Sequence, residues 1–196
     1  GASTDSVIAS GAYNYALTED PGTKAASPVY PYHTVLNVGL RCHEDCEGRA
    51  RSYNDQMAEI ILSGSSEGVE AEVTSLRVDF YGALNNEAQD TSLYLKDQEG
   101  NTKASAKYQG SSASGTALFV PDSPLFVGAE EKAFEIVSDT RKLVDQNTSG
   151  HERVQMSINL GLPGTPGGIF WSDQLVTSDI EWVEATKQVK SINLWY

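Results

Sequence analysis

Residues 41–50 read RCHEDCEGRA and hold both cysteines of the chain, Cys42 and Cys46, with one of its three histidines, His43, between them. Thiol, imidazole and carboxylate groups in so short a run suit a metal centre, a redox pair or a covalent clip. A closed zinc site takes four ligands, often as paired cysteines in C-x2-C spacing. This chain has a single C-x3-C, so His43 and one of Glu44, Asp45 or Glu47 would have to complete the set. Adjacent residues of an extended loop point apart, which makes that difficult. Dithiol redox centres use C-x-x-C at a helix start, and this segment has neither feature. A local disulfide in an exported protein fits the spacing best, with free thiols and a metal site as the alternatives. Closing so short a ring stabilises a fold by about 2 kcal/mol in the chain-entropy model.

Other candidate chemistry is thinner. His33 stands at the start of a strand-like run, and His43 and His151 lie in loops. No G-x-S-x-G, H-E-x-x-H or phosphate-cradling glycine loop occurs. Glu44–Asp45 and Glu130–Glu131 are carboxylate pairs in a chain crowded with carboxylates, where solvated surface charge is the ordinary role. We therefore expect no enzyme and no cofactor. Calcium has candidate ligands elsewhere: Asp97, Glu99 and Asn101 alternate in KDQEGN, and SDTRKLVDQN offers Asp139 and Asp145. Trp171, Trp195 and Tyr196 are candidates for stacking on sugar rings. Trp182 keeps the phase of Ile180 and is expected in the core. Asn147-Thr148-Ser149 is a sequon, an acceptor only in a glycosylating secretory setting.

The elements that must position these residues alternate with period two, the mark of half-buried strands. In VIASGAYNYAL the residues Val7, Ala9, Gly11, Tyr13, Tyr15 and Leu17 share a face. In HTVLNVGLRC the sharing residues are Leu36, Val38, Leu40 and Cys42. Across VEAEVTSLRVDFYG, Val69, Ala71 and Val73 keep one phase and Leu76, Val78 and Phe80 the other, which predicts a bulge or a break. TSLYLKD-QEGN-TKASAKY reads as a hairpin with Gly100 and Asn101 at positive φ. Further strands are expected at 56–64, 114–120, 131–139, 152–161, 178–185 and 191–196, and a short turn within 140–152. No segment shows helical apolar spacing over three turns. Roughly ten closely spaced strands without intervening helices predict an all-β chain, an antiparallel β-sandwich of immunoglobulin-like or jelly-roll-like form.

The chain has 196 residues and a net charge of -13. Length favours one large domain, or one domain with an extra arm; the expected division is residues 1–11 as an N-terminal arm or edge strand and 12–196 as the sandwich. The charge repels nucleic acid and anionic membranes, and no apolar run reaches the roughly 18 residues of a membrane helix. The acidic charge suits an extracellular or cell-surface location. The start GASTDS reads as a processed one, its export signal removed.

The order of several segments carries a resemblance. YNYALTEDPGTKAASPV, VEAEVTSLRVDFYG, TSLYLKDQEGNTKASAKY, SGTALFV, PDSPLFVGAEEKAFEIVSD, GHERVQMSINLG and IFWSDQLVTSDIEWVEA follow one another. From about Tyr13 onward this resembles the immunoglobulin-like β-sandwich modules repeated in large exported surface-layer, adhesin and filament proteins of uncultivated small-genome bacteria. In that pattern a D-P-x-T-P-A-A-S-like start precedes strands bearing V-T-x-L, a D-G or E-G hairpin, an I-P-A-G-like loop and a closing W-x-D. Here 126–129 reads FVGA, and CHEDCEGRARSYND stands as an insertion.

The resemblance implies a non-catalytic module of a surface layer, pilus-like fibre or filament, whose partners are copies of itself. The arm, with Val7, Ala9, Tyr13 and Tyr15, would be an assembly strand added to a neighbour's sheet. A carbohydrate- or surface-ligand-binding adhesin module is the alternative. The disulfide-clipped loop would then be a charged protrusion suited to docking on a neighbour.

Overall fold

A computed structural model of the chain describes residues 6–8, 14–16, 33–65, 68–145, 152–174, 180–183 and 185–196. Strands are numbered along the chain. One sheet runs in the order β3 (Leu36–Cys42), β4 (Asp55–Gly64), β11 (Lys132–Ser138), β6 (Ser92–Lys96) and β7 (Thr102–Lys107). The other runs β14 (Val189–Trp195), β12 (Arg153–Asn159), β5 (Ala71–Gly82), β9 (Ser114–Phe119) and β8 (Gln109–Gly110), with β10 (Leu125–Val127) and β13 (Ile169–Ser172) also paired to β5. Every pairing is antiparallel. The chain crosses between sheets after β4, β5, β7, β10 and β11. One apolar core, including Ile60, Leu62 and Ile136 from the first sheet and Val78, Phe80 and Met156 from the second, fills the space between. The molecule is an all-β antiparallel sandwich, as the alternation predicts.

The twelve-residue β5 is the axis of the larger sheet. The phase slip read in its sequence is a bulge: Phe170 stands opposite Ser75 and Trp171 opposite Val73, so Thr74 is left over. Ala71 and Val73 are buried before the slip, and Leu76, Val78 and Phe80 after it. The strand continues through the bulge without breaking. Tyr108, fully buried, packs edge-on to Phe80 at 5.9 Å between ring centroids. Its ring occupies the space a side chain at Gly115 would need.

Some expectations need correction. The N-terminal run read as one strand contains two, β1 (Ser6–Ile8) and β2 (Asn14–Ala16), paired antiparallel with Val7 opposite Tyr15 and belonging to neither sheet. The two strands are three residues each, too short for period to tell one run from two. β2 lies beyond residue 11, the expected end of the arm, and pairs with β1. Ala9 and Tyr13 lie outside the described residues. In the β6–β7 hairpin, Gly100 has φ +83 but Asn101 does not share the left-handed region. Among the described residues of 178–185, a bridge from Ile180 to Trp171 stands in place of the expected strand. His33 lies ahead of β3, and its backbone N–H donates to Asp173. The turn expected after 139 is α1 (Thr140–Leu143), capped by the Asp139 carboxylate.

Candidate functional site

The RCHEDCEGRA segment leaves β3 and immediately turns back. Cys42 and Cys46 are joined in a disulfide with a Cα–Cα separation of 5.5 Å, in the usual range for such a bond. Glu44, inside the ring, has φ +55. The loop does not simply protrude. The Trp195 N–H donates to the Cys46 carbonyl at 2.8 Å, and the Arg49 N–H donates to the Trp195 carbonyl at 2.9 Å. A segment following β3 of one sheet is thereby hydrogen-bonded to β14, the edge of the other.

Arg49 completes this clasp. Its Nη1 donates to the carbonyls of His43 and Asp45 at 2.8 and 2.6 Å. Its Nη2 donates to the Gln56 carbonyl at 2.7 Å and to the Asp55 carboxylate at 2.5 Å. The second Asp55 oxygen accepts from the Tyr196 hydroxyl at 2.8 Å, and the guanidinium lies 6.0 Å from the centre of that ring. Burial, then the adjoining Asp55 carboxylate, pushes the Tyr196 phenol far above its ordinary range. Arg49 is likewise raised: burial lowers it, and the pairing with Asp55 outweighs burial.

A bulge in β4 makes the clasp reachable. Ala58 stands opposite Ile136 and Gln56 opposite Val137, so Met57 is the extra residue. Strict alternation from outward-facing Glu59 would send Asp55 outward and Gln56 inward. The bulge reverses both, so that Asp55 is buried and Gln56 exposed.

On the outer face of the same sheet, Arg41, Glu59, Glu135 and Lys96 occupy one register row across β3, β4, β11 and β6. His43 leans over the row from the disulfide loop. Its Nδ1 lies 3.0 Å from Glu59 Oε1 and 3.9 Å from Glu135 Oε1. Arg41 Nε donates to Glu59 Oε2 at 2.6 Å, and Gln56 Nε2 donates to Glu135 Oε2 at 2.8 Å. Partial burial raises the Glu59 carboxyl, but Arg41 and then His43 more than offset this and hold it below its ordinary value.

The other candidates fall elsewhere. Trp171 is 3 % exposed, and its indole N–H donates to the Trp182 carbonyl at 2.8 Å, so it is a core residue and offers no ring face to a sugar. Tyr196 is committed to the clasp. Trp195 is half-buried, its backbone in the same clasp. Ile180 is buried as expected, and Trp182 packs half-buried against the core. In the hairpin turn, Asp97 accepts from the backbone N–H groups of Glu99 and Asn101 at 3.0 and 2.8 Å, and Lys103 Nζ lies 2.8 Å from its other oxygen. These partners, Lys103 first, lower the Asp97 carboxyl to about 2. The Asn101 amide donates to both Asp97 and Glu99, so the oxygens of the calcium candidate already serve donors of the turn. Asp139 caps α1 and chelates Arg141.

The exposed aromatics lie where no sequence pattern marked them. A cleft of about 390 Å³ beside α1 is lined by Tyr53, Tyr94, Asn54, Asp90, Lys107 and Asp139, among others. Tyr53 is 65 % and Tyr94 39 % exposed. Arg141 sits 5.3 Å from the Tyr53 ring centre, over one face.

Compared with protein-family models, with curated proteins and with solved structures, the chain matches none. Its site therefore stands on its own geometry. Glu59, Glu135 and Gln56 were missed in the sequence because each looks like an ordinary solvent-facing position of a strand. Only the register of three strands brings them under His43. The faint signal was the pair of outward glutamates in AEIIL and AFEIV.

Proposed function

We propose that this chain is a non-catalytic structural module of an extracellular assembly, whose copies pack into a filament, pilus-like fibre or surface layer. The observation that carries this reading is the clasp. The disulfide and Arg49 hold the loop against β4, and the loop's Cys46 carbonyl and Arg49 N–H, with Asp55, bond Trp195 and Tyr196 at the edge of the other sheet. A catalytic loop would instead hold a nucleophile or base free within reach of a cleft. A disulfide suits an oxidising compartment, and the acidic surface suits solubility there. The hairpin β1–β2, which pairs with neither sheet, supplies a segment that can add to a neighbour. Electron microscopy of the native material tests the reading. Ordered filaments or lattices are expected, and dispersed monomers at high concentration would contradict it.

One observation favours a second reading, a glycan-binding module. The cleft between Tyr53 and Tyr94 combines exposed ring faces with amide, carboxylate and ammonium groups, the combination that sugar recognition uses. Binding on a glycan array, lost in Tyr94→Ala, would support it. Silence across a broad array would count against it.

A further inference from the structure

We propose that His43, Glu59 and Glu135 form a site for a divalent transition metal of the zinc class, cross-linking the disulfide loop to the outer face of the sheet. The three residues come from different elements: the loop after β3, then β4 and β11. Their donor atoms all lie within 4.8 Å of one another. A zinc ion sits about 2.0–2.2 Å from imidazole nitrogen and carboxylate oxygen. In a tetrahedral site such bonds set ligand atoms about 3.4 Å apart, so the 3.0 Å edge to Glu59 is close to that value, while the 3.9 Å edge to Glu135 has to close by about half an ångström.

The surroundings favour a cation at this point. Glu59 and Glu135 are direct partners in the β4–β11 register, and like charges directly opposite one another oppose sheet pairing. Each carboxylate has its far oxygen held by a neighbour, Glu59 Oε2 by Arg41 and Glu135 Oε2 by Gln56. Each near oxygen is turned toward Nδ1. Outer hydrogen bonds of this kind orient the ligands of metal centres. With His43 neutral, the two carboxylates sit between the row's two cations, Arg41 and Lys96, and the oxygens turned toward Nδ1 mark the point where a divalent ion would sit. On coordination at Nδ1 the ring carries its proton on Nε2. One imidazole with two carboxylates suits zinc and its neighbours in the transition series. Calcium prefers six to eight oxygens, and magnesium keeps most of its water. Three protein ligands leave a position for water or for a ligand from a neighbouring copy.

The test is calorimetric titration of the intact, oxidised chain with zinc chloride at about pH 7.5, where an ordinary histidine is mostly neutral. The expected result is saturable binding of one ion per chain, weakened at least about tenfold in Glu135→Gln and in His43→Ala, and by a smaller factor in Gln56→Ala. Millimolar calcium should not compete. Absent saturable binding, or an affinity unchanged in both ligand variants, would overturn the site. NMR of the unmodified chain keeps the proposal falsifiable should a variant fail to fold. Zinc should shift the His43 ring resonances at one equivalent. Shifts at His33 or His151 with His43 unmoved would overturn it as well.

Discussion

Arg49 gathers four partners from the short stretch on either side of it: the carbonyls of His43, Asp45 and Gln56 and the carboxylate of Asp55. Both charged side chains are almost wholly buried, at 10 % and 8 % exposure. Removing one member of a buried pair leaves the other uncompensated, which costs about 3–5 kcal/mol. Arg49→Ala should therefore lower stability by about 3 kcal/mol, the Tyr196 hydroxyl still donating to Asp55, read as the midpoint of urea unfolding. Tyr196 gives a pH dependence of defined sign. Its native phenol is held protonated well above the ordinary value, so this stabilisation is complete below about pH 10 and is lost as pH rises beyond it. Tyr196→Phe should flatten the fall in Tm between about pH 8 and about pH 11. Tyr108, also raised by burial, keeps part of that slope in place. An unchanged slope would place the alkaline sensitivity elsewhere. At this scale Cys42 and Cys46 were legible from spacing alone. Asp55 was not, because nothing in QMAEIIL announces that Met57 is an extra residue.

At the scale of elements, alternation located the long strands and their breaks. The slip between Val73 and Leu76 was readable because both halves of β5 carry enough apolar residues to define a phase. β8, β10 and β13 were not readable as strands, since two to four residues give no period to count. Both partners of β5 are interrupted at its middle, β9 giving way to β10 and β12 to β13. The loops between, 120–124 and 160–168, hold the prolines and glycines that masked the continuity. β9 itself depends on Gly115, against which the Tyr108 ring is seated. Gly115→Ala overpacks that contact and should cost about 1–3 kcal/mol in chemical denaturation. A neutral effect would mean that the ring has room to move.

For the whole molecule, the question is what holds two sheets together at their edges. The shared apolar core supplies the general attraction. The clasp supplies a specific connection at the β3–β14 side, and it draws together residues more than a hundred positions apart. The all-β class was legible, because composition and period act on every strand alike. The clasp was not, because it joins a loop to Trp195 through backbone groups, to which side-chain patterns are blind, and to Tyr196 through an Asp55 turned inward by a bulge. Under the proposed role, such a join would pass force or a neighbour's contact on one sheet to the other without parting the core.

The most direct measurement is hydrogen exchange at the Arg49 and Trp195 amides, in the oxidised chain and after reduction and alkylation of Cys42 and Cys46. The loss of about 2 kcal/mol expected for so short a ring corresponds to exchange about thirtyfold faster at both amides. Equal rates before and after reduction, or thiols that label fully without reduction, would contradict the clasp.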